Sequence, residues 1–193
     1  MTKAFQTLSS WEAILAGVSA FAYAYFFVIA KDVTMYSLSL LLLGIFSIKV
    51  MIALFARLKK VDEDFARVAM ILGVIGGAGM AVHGGYDLAN AINPPALVNT
   101  DLPNQVDPRG LLAFGFTGFA ILKFSWLMAK DSYFPEGLRW IGFLSGALLV
   151  VIYVARLTVL NPANPVLLYP VLINGFVLGP LWYLWLGKVF RRK

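Results

Sequence analysis

The sequence predicts an all-α fold: a single polytopic bundle of six transmembrane helices filling residues 1–193, with both ends on the cytoplasmic side. Three observations predict it. Six apolar stretches, about residues 11–30, 35–56, 65–91, 111–129, 138–160 and 166–186, each approach the ~20 residues that cross a ~30 Å hydrocarbon core as helix. The chain is 60% hydrophobic and only 13% charged, with a mean hydropathy of +0.79, whereas soluble domains carry about 25% charged residues. A water-soluble fold has no place to hide that much apolar surface. Basic residues, finally, gather on alternate connectors, as the positive-inside rule requires of cytoplasmic ones. Lys3, Arg57, Lys59, Lys60, Arg67, Lys130, Arg139, Lys188, Arg191, Arg192 and Lys193 fall on one side, against Lys31 and Arg109 on the other.

Each element has its own punctuation. Ser9 and Glu12 read as an S-x-x-E capping box for the first span, whose length and upstream charge suit an uncleaved helix better than a signal peptide. Asp62, Glu63 and Asp64 face the positive dipole end of the third helix. Asp107-Pro108 and Asn164-Pro165 join a capping side chain to a proline suited to a first helical position, and start the fourth and sixth helices. Pro170 and Pro180 lie inside the sixth run and predict kinks. The connector from 92 to 109, stiffened by prolines and dotted with apolar residues, reads either as a lid over the outer mouth or as a solvated loop. Gly73, Gly77, Ala81 and Gly85 recur every fourth residue and predict close helix packing around the third span.

Two segments read alike. Residues 44–67 and 118–139 each carry a glycine, a lysine five residues on, a basic exit, acidic residues in the turn and an arginine opening the next helix. This is the pattern of a parallel internal repeat, and also one on which positive-inside hairpins converge.

Ionisable residues inside apolar spans point to candidate sites, because each needs a partner, a wet cavity or an escape to the interface. His83, Asp87 and Asn90 share one face of the third helix. Arg156, with Tyr153 one turn before it, reaches a similar depth on the fifth, so an Asp87–Arg156 pair is expected, with His83 as a titrating or ligand-binding neighbour. The alternative for these five residues is a structural tie between helices. Lys49 and Lys123 lie seven or eight residues before the cytoplasmic exit, about 10–12 Å, and either snorkel to lipid phosphates or form an inner site for an anion.

Several chemistries are excluded. One histidine and no cysteine supply neither bis-histidine haem ligation nor a zinc site, so no metal or cofactor is expected. No serine pairs with the His-Asp motif to suggest a hydrolase. The net charge of +6 is explained by anionic headgroups at the cytoplasmic face and not by nucleic acid. A non-enzymatic role comes first: sensor, accessory subunit, or binder of a small apolar molecule, alone, as a homo-oligomer or beside another membrane protein. A small transporter or channel using His83, Asp87, Arg156, Lys49 and Lys123 as a polar route comes second, and an enzyme acting on a lipid-like substrate third.

The segment Leu54-Phe55-Ala56-Arg57-Leu58-Lys59-Lys60-Val61 and the ending Gly179-Pro180-Leu181-Trp182-Tyr183-Leu184-Trp185-Leu186-Gly187-Lys188 resemble small bacterial multi-helix membrane proteins grouped as a domain of unknown function. The resemblance implies a bacterial inner-membrane protein of about six helices. It brings no activity and no site residues.

Overall fold

A computed structural model describes residues 2–94, 111–159, 161 and 163–192. The described residues are helical apart from short turns, and five helices are long and apolar enough to cross a membrane: α1 (Lys3–Ala30), α2 (Val33–Leu58), α3 (Glu63–Ile92), α5 (Glu136–Thr158) and α6 (Pro165–Phe190). Between α3 and α5 lies a shorter apolar helix, α4 (Ala113–Met128). The connector expected as a lid and the Asp107-Pro108 start of α4 fall outside the described residues.

Local chemistry sets the boundaries. The Asp32, Asp62 and Asn164 side chains accept hydrogen bonds from the backbone amides of Met35, Phe65 and Val166, and Pro165 occupies the first turn of α6. Lys31, with φ of 54°, makes the left-handed residue that turns the chain from α1 into α2. Where Pro180 removes an amide donor, the ladder of α6 widens: Asn174–Leu178 form a π-helical turn in which the Gly179 amide donates to the Asn174 carbonyl.

One expectation is overturned at the start of the chain. The first helix begins at Lys3, capped by Thr2, whose hydroxyl accepts from the Phe5 amide, so residues 9–12 have no free amides for a capping box. Ser9 instead donates to the Phe5 carbonyl and Glu12 is buried against α2.

The helices pack side by side, α1 between α2 and α6, α2 against α3, α4 against α3 and α5, and α5 against α6. One continuous apolar core runs through all six, including Ala16, Met51, Ala69, Phe124, Leu138 and Trp182. Small residues set the α2–α3 spacing. A Cβ added at Gly44 would run into the backbone of Ala81, and one at Gly77 would come within 3.1 Å of the Gly44 carbonyl. The four-residue stripe of the sequence drifts, because 3.6 residues complete a turn. By the end of α3 the close contact has passed from Gly85, whose added Cβ would meet nothing nearer than 3.8 Å, to Gly84, which lies against the backbone of Ser37 and Leu41.

Candidate functional site

Polar and charged side chains collect at the two ends of the bundle. One end holds both termini: Gln6 of α1 donates to the carbonyls of Phe190 and Arg192 at 2.7 and 3.0 Å, Ser10 donates to the Gly187 carbonyl at 2.7 Å, and the Arg191 guanidinium donates to the Ser10 hydroxyl at 2.9 Å. Arg191 also lies over the ring of Trp11, 4.2 Å from its centroid.

Two buried carboxylates anchor this end. Glu12, 4% exposed, points from α1 to α2 and meets the Lys49 ammonium at 2.8 Å, while the lysine itself is half exposed. Asp131, 7% exposed, sits in the α4–α5 connector between the Lys60 ammonium at 3.2 Å and the Arg57 guanidinium at 3.6 Å, and accepts from the Tyr133 amide at 3.1 Å. Arg57 stacks on the Tyr133 ring, whose hydroxyl donates to the Val189 carbonyl. Burial pushes the Tyr133 phenol above its ordinary pKa, with the nearby guanidinium opposing. Together these contacts tie the exits of α2 and α6 to the α4–α5 turn.

The two lysines grouped by sequence therefore separate. Lys49 faces a carboxylate. Lys123 is half buried on α4, with its ammonium 4.5 Å from the centroid of Phe65 at the start of α3. Phe65 in turn packs on Trp126, at 4.7 Å between ring centroids, and Lys130 covers Trp126 at 3.4 Å.

At the opposite end His83 and Asp87 do come together, Nε2 to Oδ2 at 3.0 Å, one turn apart on α3 and mostly buried. Asn90 follows on the same helix, partly buried. Arg156 does not join them: among the pairs that the described residues form with each other, Asp87 has His83 and not Arg156. The reason lies in the packing. The π-helical segment Leu111–Phe116, which leads into α4, lies against both α3 and α5, and the Tyr153 ring closes on Gly115, where an added Cβ would meet the ring at 2.9 Å. Depth along a helix is readable from sequence, but the helix that intervenes is not.

Sequence reasoning missed Glu12 and Asp131 as buried ion-pair partners, and the Ser145 hydroxyl, which donates to the Asn174 side-chain oxygen at 2.7 Å across α5 and α6. For Glu12 the signal was a carboxylate followed by eighteen residues without another charge. Asn174 stands four residues past one proline and six before the other, where a broken ladder invites a polar side chain.

An apolar recess lies mid-bundle on the outer surface of α1 and α6, about 450 Å³, lined by Gly17, Val18, Phe21, Phe176, Pro180 and Leu184 among others. It is open at the side that faces lipid in a membrane. No protein-family model, no curated protein and no solved structure matches this chain.

Proposed function

We propose that this chain is a non-enzymatic integral protein of the bacterial inner membrane, with both ends in the cytoplasm, that binds a small apolar molecule drawn from the bilayer and acts as a sensor or accessory subunit. The observation that carries the reading is the α1–α6 recess. Its volume suits a small ligand and its lining is apolar, while Gly17 at its floor lets α1 close on Pro180 and Leu184 of α6. Of the polar groups deep in the bundle, Glu12 and Ser145 make helix-to-helix contacts, with Lys49 and Asn174. The orientation rests on the basic excess at the end that holds the termini, which would meet anionic headgroups.

The test is photolabelling in nanodiscs with a diazirine-bearing apolar probe. Val18 and Leu181 are exposed at the rim, so Val18→Trp and Leu181→Trp narrow the recess without entering the α1–α6 contact. Labelling that maps to α1 and α6 and falls several-fold in both variants supports the reading, and labelling spread evenly over all helices sinks it. A polar transport route draws support from the His83–Asp87 pair, at one end only. Flux in proteoliposomes abolished by His83→Ala would move it to first place.

A further inference from the structure

We infer that the α3–α4 surface at the terminal end is a binding site for one anionic phospholipid headgroup, built from Lys123, Lys130, Phe65 and Trp126. It deepens the proposal that this end faces anionic headgroups, and is separate from the α1–α6 recess.

The argument starts from charge. Every carboxylate of the two turns at this end is committed: Asp62 caps α3, Glu63 and Asp64 hold Arg67, Glu136 holds Arg139, and Asp131 holds Arg57 and Lys60. Glu12 belongs to Lys49. Lys123 has no carboxylate within ion-pair distance among the described residues, although it lies inside an apolar helix, where a cation without a counter-charge is costly. Its neighbour is the Phe65 ring, and an aromatic face supplies only part of what an anion does.

Geometry supplies the rest. Lys123 on α4 and Lys130, just past its end, stand seven residues apart, about 10 Å at the helical rise, a spacing that brackets the level at which a headgroup phosphate would sit above the hydrocarbon. Between them Phe65 and Trp126 form an aromatic wall, and Trp126 is 38% exposed. Indole and phenyl faces pack on glycerol and upper acyl carbons while two ammoniums, one from below and one from above, converge on the phosphate. The lysine at the matching position of the first hairpin receives its anion from α1. At Lys123 no helix of the described chain stands in that place, and a lipid phosphate completes the site.

Apparent affinity is measured by titrating phosphatidylglycerol into phosphatidylcholine nanodiscs carrying the full chain, reading bound lipid by native mass spectrometry and stability by thermal melting. About 1 kcal/mol per lysine near the surface converts to about a fivefold loss for Lys123→Met, with Lys123→Arg retaining binding. Lys59→Met, which removes an exposed cation away from the aromatic wall, is the control and changes affinity less than twofold. Melting of the variants in phosphatidylcholine alone shows that they fold. If Lys59→Met weakens binding as much as Lys123→Met, the charge acts diffusely and the site is overturned while the facing of this end survives. If the wild type shows no preference for phosphatidylglycerol, both are overturned. Equal stabilisation by inorganic phosphate in phosphatidylcholine nanodiscs would overturn the lipid as the source of the anion.

Discussion

The α2–α3 and α4–α5 hairpins repeat one design under different cover. Gly44 lies against the Gly77 carbonyl, and Gly118 against that of Gly146, where added Cβ atoms would come to 2.6 and 2.9 Å. Five residues on stand Lys49 and Lys123. Each turn holds an aspartate that accepts a backbone amide two or three residues later, and each second helix opens with an arginine paired to a glutamate, Arg67 to Glu63 and Arg139 to Glu136. What differs is the neighbour. α1 covers the first hairpin and brings Glu12 to Lys49, whereas Lys123 is left with an aromatic ring. In the turns the order reverses: Asp62 is exposed and caps a helix, while Asp131 is buried between Arg57 of α2 and Lys60 of the α2–α3 turn. Equivalent positions thus acquire their energetic weight from what packs on them.

Three paired substitutions and one single one, read by denaturant titration in detergent micelles, test this asymmetry. The largest effect is expected at the glycines. Gly44→Ala forces the α2 and α3 backbones apart and costs about 3 kcal/mol, against about 1 for Gly118→Ala, where part of the clash is with the side chains of Leu149 and Val150. Equal costs would mean that the two hairpins are packed alike. Next come the turn aspartates: Asp131→Ala leaves Arg57 and Lys60 unneutralised and costs roughly 2 kcal/mol, less than a fully buried pair because both cations reach solvent, while Asp62→Ala loses a cap worth about 1. Lys49→Met strands the buried Glu12 carboxylate and costs about 2 kcal/mol, whereas Lys123→Met in zwitterionic surroundings costs under about 0.5. Adding Glu12→Gln to Lys49→Met should recover about half of the loss. A double variant no more stable than Lys49→Met would remove the ion pair as the cause. The smallest effect is that of Arg67→Ala, below about 0.5 kcal/mol, since its partners are exposed.

Much of the fold was legible because lipid imposes simple rules. Apolar run length located the helices, and Asp62 and Asn164 act at helix starts as their chemistry dictates, whereas the Asp32 cap of α2 went unread. Less was legible in the candidate sites. His83 and Asp87 meet because one turn of a helix guarantees it, while Asp87 and Arg156 do not, since which helices touch is a tertiary fact and α4 stands between them. Glu12 misled for a related reason: a carboxylate near the start of an apolar run is equally good as a cap or as a buried counter-ion. Only the position of Lys49 on the neighbouring helix decides.

The contacts of α1 carry a consequence for assembly. Its one flank waits only for the next helix, but its other flank, sealed by Ser10, Gly187 and Arg191, joins residues separated by 177 to 181 positions. Until α6 has been threaded into the bilayer, that flank and its row of small residues face lipid or a chaperone. Closure therefore comes late and over a long chain separation, which makes it the step most exposed to truncation or to a slow insertase.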